Sequence, residues 1–350
     1  MRYLLALLTL AALALIGCGG DEAAPSSSEP LLSGKIVFSS NHDGQPDLYA
    51  VSPDGSGLVR LTNDAEQEVA VACEPTGRRL ALVVGEASIP EEPDVTPVVP
   101  VLEVMNADGS NRERLAEVQR VGGLTWSPDG SRLAYSTGPP ISTTGYDVYT
   151  VTLDDGSPAH LTSGVNVYAL RWSADGGRLY FLSREEGSGE FDLYSIGADG
   201  SGRQKVSLEP GARGPILSPD GARVAYSTDA GLVIANVDGS NPTVVAPEEG
   251  VASWSNDGQR LAYLSRAAAS ADNANPSPIL YVVEPGTEPR RLAELPPVSL
   301  VPRWSPDNAW LLFNVYSEEE QAIYLIRADG TDLHRLSPDG ARESAFCWVG

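Results

Sequence analysis

The sequence is poor in the residues that most often carry chemistry. Its 350 residues include three histidines and three cysteines, namely His42, His160, His334, Cys18, Cys73 and Cys347. So few ligands argue against a multi-histidine metal centre and against a framework of disulfides. Positive charge is also scarce, because 24 Lys and Arg face 47 Asp and Glu, which gives a net charge of −23. Nucleic acids and anionic membrane surfaces attract basic proteins, so this chain is expected to bind neither.

Long apolar runs are scarce as well, and the obvious one lies at the N-terminus. Residues 3–16 are almost entirely apolar but too few to span a bilayer. They lead into Leu15-Ile16-Gly17-Cys18, which resembles the lipobox of bacterial lipoprotein signal peptides. The resemblance implies a signal peptide over residues 1–17, a lipidated Cys18, and a flexible Gly-, Ser- and Pro-rich tether over residues 18–33. The protein would be held by lipid on a bacterial membrane, outside the cytoplasm. An ordinary secretory signal with an incidental Cys18 is the alternative.

One phrase recurs through the rest of the chain. Residues 126–130 read Trp-Ser-Pro-Asp-Gly and are followed by Arg-Leu-Ala-Tyr at 132–135. Copies begin at positions 73, 126, 172, 217, 254 and 304, and a last Trp stands at position 348. An apolar run followed by a turn, as at residues 48–55, occurs in seven copies, and the turn reads Asp-Gly in six of them. The period of about 45 residues is typical of a protein built from structural repeats.

Each repeat predicts four short strands. The first is the apolar run, an Asp-Gly turn leads to the second, the third ends at the Trp, and a Ser-Pro-Asp-Gly turn leads to the fourth. Four strands at this period are typical of a propeller blade, so we predict an all-β, seven-bladed β-propeller over residues 34–350. The C-terminus stops after a third strand, and residues 34–39 match the missing fourth. A closing blade built from residues 34–39 and 323–350 would therefore join the two ends of the chain.

The recurring phrases resemble the TolB-like propeller repeat, a relative of WD-repeat propellers. The resemblance implies a periplasmic or surface scaffold that binds peptides or proteins at the mouth of the ring. Prolyl-oligopeptidase-type enzymes carry similar propellers beside a hydrolase domain, and oligogalacturonate lyases use a His-rich metal centre. We find neither feature in the sequence, nor a Gly-x-Ser-x-Gly elbow. We therefore predict a non-enzymatic, monomeric propeller that binds an envelope protein or peptide. An enzyme, or a carbohydrate-binding propeller that uses the central mouth, is the alternative.

The long connections collect acidic residues on one face of the predicted ring. We predict partner contacts at Glu91, Glu92, Asp94, Glu185, Glu186, Glu318, Glu319 and Glu320. A partner with a basic segment would be attracted there. The alternative is that these acids only keep the protein soluble.

Metal and thiol chemistry are the remaining candidates. Asn41, Asp43 and Asp47 place oxygen ligands around a Gly turn, loosely as in a Ca²⁺ loop, but the terminal Glu of such a loop is missing. A turn is the alternative, and no cofactor is predicted. Cys73 and Cys347 lie near the same strand position in neighbouring blades and could form a disulfide. They differ by one place in register, and packed sheets lie about 10 Å apart, whereas a disulfide needs Cα atoms within roughly 6 Å. Free thiols are thus the alternative. The repeated Trp residues are predicted to pack between blades rather than to stack on sugars.

Overall fold

The computed structural model describes residues 34–44, 47–63, 68–85, 99–138, 145–165, 167–183, 192–265, 277–296, 302–316, 321–336 and 343–349. The predicted signal peptide (1–17), Cys18 and the tether (18–33) lie outside these residues.

The described chain forms seven four-stranded antiparallel sheets, the blades of a propeller. Blade 7, which closes the ring, contains β1 (Ile36–Ser40), β2 (Asp47–Val51) and β3 (Val59–Arg60). Blade 1 contains β4 (Glu68–Cys73), β5 (Arg79–Val84), β6 (Val101–Asn106) and β7 (Glu113–Glu117). Blade 2 contains β8 (Arg120–Trp126), β9 (Arg132–Gly138), β10 (Asp147–Thr152) and β11 (Pro158–His160). Blade 3 contains β12 (Val167–Trp172), β13 (Arg178–Ser183), β14 (Asp192–Gly197) and β15 (Gln204–Lys205).

The second half of the chain repeats this arrangement. Blade 4 contains β16 (Arg213–Leu217), β17 (Arg223–Thr228), β18 (Gly231–Asn236) and β19 (Thr243–Ala246). Blade 5 contains β20 (Gly250–Trp254), β21 (Leu261–Ser265), β22 (Ile279–Val283) and β23 (Arg290–Glu294). Blade 6 contains β24 (Arg303–Trp304), β25 (Trp310–Tyr316), β26 (Gln321–Arg327) and β27 (His334–Arg335). The last strand, β28 (Glu343–Trp348), joins blade 7. The predicted all-β, seven-bladed fold is confirmed.

The strand that ends at the Trp position lies at one edge of each sheet. At five of the seven interfaces it contacts the corresponding strand of the next blade, so it is the innermost strand of the blade. The short turns between the first and second strands and between the third and outer strands lie on one side, the turn face. The strand ends that the longer connections join lie on the other side, the loop face. The predicted blade boundaries are wrong by half a blade. Residues 323–335 belong to blade 6, and blade 7 takes β1, β2 and β3 together with β28. The third and fourth predicted strands pair across the Ser-Pro-Asp-Gly turn, and the fourth strand also pairs with the next apolar run. Each sheet therefore combines the last two strands of one predicted unit with the first two strands of the next.

Ring closure depends on β1 and β28. They pair antiparallel, with Ile36 opposite Trp348 and Val37 opposite Cys347, and the Gly34 N–H donates to the Val349 carbonyl at 2.9 Å. Apolar side chains of the described residues form seven buried clusters, each between two neighbouring blades. The sheets are therefore packed face to face around the whole ring, and the predicted pairing of the two ends is confirmed.

The Ser-Pro-Asp-Gly turns are built by their own side chains. In blade 2, the Ser127 hydroxyl donates to Asp129 Oδ1 at 2.6 Å, and the Gly130 N–H donates to the Ser127 carbonyl at 2.9 Å. Gly130 has φ of 69°, a left-handed conformation that glycine adopts without strain. The same serine–aspartate bond recurs in blades 3, 4, 5 and 6. A short local phrase therefore specifies each hairpin.

The repeated Trp residues are buried between blades, where they hold neighbouring inner strands together. The Trp126 indole N–H donates to the Ala72 carbonyl of blade 1 at 3.0 Å, and Trp304 donates to the Ser253 carbonyl of blade 5 at 3.1 Å. Both Trp side chains are about 5% exposed. These contacts agree with the predicted packing role and leave no indole face open for a sugar at either position.

A disulfide joins Cys73 and Cys347, with a Cα–Cα distance of 5.7 Å. Cys73 occupies the Trp position of blade 1, and Cys347 precedes the Trp position of blade 7. At four other interfaces, the Trp indole contacts the residue that precedes the Trp position of the preceding blade. Cys73 and Cys347 occupy these same two positions in blades 1 and 7. The one-place offset therefore brings the two cysteines together, because the inner strands converge near the centre of the ring and lie closer than the sheets further out.

Candidate functional site

The sequence predicts partner contacts at eight acidic residues of the long connections. The eight acidic residues Glu91, Glu92, Asp94, Glu185, Glu186, Glu318, Glu319 and Glu320 all lie outside the described residues. Their role in binding stays a prediction.

A cavity of about 550 Å³ opens between blades 1 and 2, near the loop face. Tyr135, Asp147 and Tyr149 of blade 2 line it, together with Glu117 at the end of β7. Gly138 and Gly145, at the facing ends of β9 and β10, line it as well. A Cβ on Gly138 would lie 2.5 Å from the Gly145 carbonyl oxygen, so glycine is needed for the close approach of these two segments.

Three aromatic rings form a row across blade 2 beside this cavity. Tyr135, Tyr149 and His160 lie directly opposite one another on β9, β10 and β11. Their rings stack, with centroids 5.5 Å apart for the tyrosine pair and 4.6 Å apart for Tyr149 and His160. Burial raises the pKa of Tyr135 to about 12, so its hydroxyl stays neutral at physiological pH. The row thus places two electron-rich tyrosine rings at the wall of the cavity.

Asp147 supplies the negative charge of the cavity. Its Oδ2 lies 3.2 Å from His160 Nε2, while its Oδ1 is buried and has no hydrogen-bond partner in the described part of the chain. An unpartnered buried carboxylate oxygen is costly, which makes it a strong acceptor for a ligand that brings a donor. Glu117 adds an exposed carboxylate at the rim. Arg120 lies opposite Gly138 in the strand register but does not line the cavity.

The same aspartate position is fully engaged in two other blades. Asp47 is buried and pairs with Arg60 of β3, and Asp192 pairs with Lys205 of β15 at 2.7 Å. In blade 2 the outer-strand base is a histidine, whose ring reaches one oxygen of Asp147. The substitution of a histidine for the Arg or Lys of the repeat is the signal by which sequence reasoning could have found this cavity.

The three candidate calcium ligands lie near the start of β2. The Asp43 carboxylate accepts a hydrogen bond from the Tyr49 hydroxyl at 2.8 Å, and Asp47 binds the Arg60 guanidinium. Asn41 accepts a backbone hydrogen bond from Gly44 at 2.9 Å, as in a turn. Throughout the described ranges, no group of three or more His, Cys, Asp and Glu side chains is arranged to hold a metal ion. Asp43 and Asp47 thus each contact a side chain of the described chain.

The three histidines lie on different blades. His42 lies near Asp43 in blade 7, and His160 contacts Asp147 in blade 2. His334 of blade 6 lies 3.0 Å from the Asp332 carbonyl and 3.1 Å from the Pro53 carbonyl of the next blade. The histidines therefore do not converge on one site. Within the described residues, none of the secondary structure is a helix long and apolar enough to cross a membrane.

Comparisons with known structures identify the fold. TolB from Acinetobacter baumannii has a TM-score of 0.57 at 15% identity, covering 91% of this chain and 67% of that one. The fold is that of a TolB-like propeller. An oligogalacturonate lyase in complex with manganese has a TM-score of 0.60 at 16% identity, covering 89% of this chain and 87% of the lyase. A prolyl endopeptidase has a TM-score of 0.64 at 15% identity, covering 91% of this chain and 50% of the enzyme.

Comparisons by sequence find peptidases. Dipeptidyl-peptidase 5 of Porphyromonas endodontalis is 32% identical over 125 residues, which are 34% of this chain and 18% of the peptidase. A tricorn protease homologue of Streptomyces coelicolor is 25% identical over 229 residues, 63% of this chain and 19% of the homologue. The chain thus covers less than a fifth of each relative's length. No protein-family model matches the chain.

These similarities contradict the prediction that the chain is not an enzyme. That prediction relied on the absence of a hydrolase motif and of a histidine cluster from the sequence. The proteins that the chain resembles include peptidases by sequence and both peptidases and a lyase by fold. The similarities support a propeller scaffold. They favour the predicted alternative of an enzyme over the prediction of a non-catalytic scaffold.

Proposed function

We propose that this propeller recognises polypeptide substrates for peptide hydrolysis, with the cavity between blades 1 and 2 receiving a cationic side chain. This proposal depends on the Asp147 carboxylate, which lines the cavity beside the stacked Tyr135 and Tyr149 rings and has one oxygen, Oδ1, that is buried and lacks a hydrogen-bond partner among the described residues. A guanidinium or ammonium group would donate hydrogen bonds to this oxygen and lie against the ring faces, where the aromatic quadrupole attracts cations.

The protein offers an internal example of such an arrangement. In blade 3, the Arg203 guanidinium lies 4.9 Å from the ring centroid of Tyr194 and 6.0 Å from that of Phe181. Phe181 and Tyr194 are the counterparts of Tyr135 and Tyr149, and their rings stack with centroids 5.8 Å apart. The aromatic pair of blade 3 is thus covered by a cation from its own chain, and we propose that the pair of blade 2 takes one from a substrate.

The peptide interpretation is favoured over the sugar interpretation by charge. Oligogalacturonate is a polyanion, and the cavity carries the carboxylates of Asp147 and Glu117 in a chain of net charge −23. Like charges would repel such a sugar. Both sequence relatives described above are named as peptidases, which supports the same choice.

Binding of a labelled peptide with one central arginine tests this proposal. The control peptide has citrulline, a neutral isostere, in place of the arginine. We expect the intact protein to bind the arginine peptide about tenfold or more tightly than the citrulline peptide, measured by fluorescence anisotropy. Asp147→Asn should abolish this preference, because it removes the charge that faces the cavity. Asp192→Asn is the matched control, since Asp192 already pairs with Lys205, and it should preserve the preference.

Hydrolysis is measured on the same peptides by mass spectrometry of the products. We expect cleavage of the arginine peptide to fall with binding in Asp147→Asn and not in Asp192→Asn. Equal binding of the two peptides by the unaltered protein would refute the cationic site. Binding without cleavage would remove the hydrolytic part of the proposal.

We further propose that the protein is anchored by lipid at Cys18, outside the cytoplasm. The lipobox-like sequence supports this location, and so does the Cys73–Cys347 disulfide, because disulfides persist in oxidising compartments. Cells grown with labelled palmitate should incorporate label into the protein, and the Cys18→Ala variant should carry none. A protein that stays unlabelled in both cases would count against lipidation.

A further inference from the structure

A second cavity, of about 290 Å³, lies on the turn face between blades 5 and 6. Three arginines line it, namely Arg260 at the start of the β21 hairpin, Arg290 on β23 and Arg327 at the end of β26. Asn308 and Asp329 complete its rim from two turns of blade 6. Three guanidinium groups thus meet in one place, although acids outnumber bases about two to one in the whole chain.

The repeat provides an internal standard for this cluster. An arginine at the Arg260 position is common, as Arg79, Arg132, Arg178 and Arg223 occupy it in blades 1 to 4. The other two arginines are exceptions. The strand registers place Val59, Glu113, Ala159, Gln204, Thr243 and His334 at the position of Arg290. They place Asn106, Thr152, Gly197 and Asn236 at the position of Arg327. Two added positive charges therefore converge on one interface.

The surrounding contacts hold the guanidinium groups in place. Arg290 donates to the Asp329 carbonyl at 2.7 Å and to the Ala328 carbonyl at 2.5 Å, and Arg260 donates to the Asn308 carbonyl at 3.1 Å. Arg260 stacks on Trp304 with 4.7 Å to the ring centroid, and Arg327 stacks on Trp310 at 4.2 Å. Each guanidinium has five N–H donors, so these bonds leave donors for a ligand. Positioning of this kind reduces the entropy that binding would cost.

The acids near the cavity are already engaged. The Asp329 carboxylate accepts hydrogen bonds from the Thr331 N–H at 2.9 Å and the Thr331 hydroxyl at 2.6 Å, within its own turn. Asp332 lies 3.7 Å from Arg327 Nε and also contacts His334. Asp257 also interacts with the Arg260 guanidinium, so the three arginines are partly neutralised, and the distinguishing feature of the cavity is the convergence of three guanidinium groups.

We propose that this turn-face cavity binds a phosphate group, carried by a soluble phosphate compound or by a lipid headgroup. Guanidinium groups recognise phosphate through paired, charge-assisted hydrogen bonds, for which three arginines around one small cavity are well suited. The proposal is independent of the peptide-binding proposal, which concerns the opposite face.

The probes are inorganic phosphate, titrated by calorimetry, and vesicles of phosphatidylglycerol or phosphatidylcholine, tested by co-sedimentation with the full chain carrying Cys18→Ala, so that no lipid on Cys18 inserts into the vesicles. The test variant is Arg290→Gln. Its matched control is Arg291→Gln, which removes the same charge from the next residue, where Arg291 faces Glu294 at 3.4 Å. Thermal unfolding of both variants checks that they are folded. The net charge of −23 disfavours non-specific anion binding, which keeps the background low.

We expect Arg290→Gln to weaken phosphate binding about tenfold or more and Arg291→Gln to leave it unchanged. Sedimentation with phosphatidylglycerol but not phosphatidylcholine, lost in Arg290→Gln, would support the proposal and assign the phosphate to a lipid. Phosphate binding without sedimentation would support it and assign a soluble ligand. Absence of binding in both arms would overturn the proposal. So would equal binding by the unaltered protein and the double variant Arg290→Gln, Arg327→Gln.

Discussion

At the scale of single residues, hydrogen bonds in the turns control the acidity of many aspartates. Asp129 accepts bonds from the hydroxyls of Ser127 and Ser131 and from the Ser131 N–H. These bonds, that from the Ser127 hydroxyl foremost, lower the pKa of Asp129 to about 2. Hydrogen bonds from Ser or Thr lower the pKa values of Asp54, Asp108, Asp155, Asp175, Asp199, Asp220, Asp238 and Asp329 in the same direction. The turns thus favour ionised aspartates.

This pattern predicts that the protein loses stability in acid. A carboxylate whose pKa is lower in the folded state stabilises the fold above its unfolded pKa of about 3.9 and ceases to do so as the pH falls through its folded pKa. For Asp129 this window lies between about pH 4 and pH 2. We expect the contribution of these aspartates to the free energy of unfolding to be constant above pH 5 and to fall below pH 4. Urea titration at a series of pH values measures this free energy.

The Asp129→Asn variant isolates one contribution. We expect it to lower the free energy of unfolding at pH 7 by about 1 kcal/mol, allowing for solvent screening of this exposed group, and to close the gap to the unaltered protein near pH 2. Asp154→Asn is the matched control, because it removes the same charge from an exposed neighbouring turn. A gap that stays the same size at pH 2 would contradict the explanation.

At the scale of strands and turns, an arginine and a tryptophan join neighbouring blades. Arg132 at the start of β9 donates to the Gly176 carbonyl of blade 3 at 2.7 Å, and its guanidinium lies 4.6 Å from the Trp172 ring centroid. Arg79 with Trp126 and Arg223 with Trp254 repeat this contact. The arginine that follows the turn of one phrase therefore links its sheet to the tryptophan that begins the phrase of the next blade.

Arg132→Ala is expected to lower the free energy of unfolding by about 1–2 kcal/mol, because it removes a charge-assisted hydrogen bond and a cation–π contact between blades. Arg178→Ala is the matched control. Arg178 faces a blade whose Trp position holds Leu217, and it bonds Ser195 and Gly202 of its own blade instead. A smaller loss is expected for it in the same urea titration, and equal losses would contradict the interblade role.

The sequence could predict these elements because each depends on neighbours in the chain. Ser127, Asp129 and Gly130 form a turn from four successive residues, whatever the rest of the protein does. The boundaries of the blades could not be predicted in the same way. The order of the repeats allows β26 to share a sheet with β24 or with β1. Pairing between strands decides that it joins β24 and β25 in blade 6.

At the scale of the whole molecule, closure of the ring depends on contacts between the two ends of the described chain. The β1–β28 pairing and the Cys73–Cys347 disulfide lie side by side, and the disulfide spans 274 residues of sequence. A bond over so long a loop restricts the unfolded chain strongly, which stabilises the folded state in the chain-entropy account.

Removal of this bond is expected to lower the free energy of unfolding by about 2–4 kcal/mol. The Cys73→Ser and Cys347→Ser variants and their combination should show the same loss, since each removes the same bond. A reducing agent should shift the urea midpoint of the unaltered protein and leave that of Cys73→Ser unchanged. A midpoint of the unaltered protein that is insensitive to reduction would contradict this role.

The amino-acid sequence by itself determined the strands, their turns, the number of blades and the pairing of the two ends, because each follows from a local phrase or from its repetition. The tertiary structure decided which strands share a sheet, how Cys73 reaches Cys347, and where Tyr135, Asp147 and Tyr149 meet the end of β7. These features arise from contacts between residues that are distant in the chain. A repeat specifies each blade alike, and only packing against its neighbours makes one interface a cavity and another a closed core.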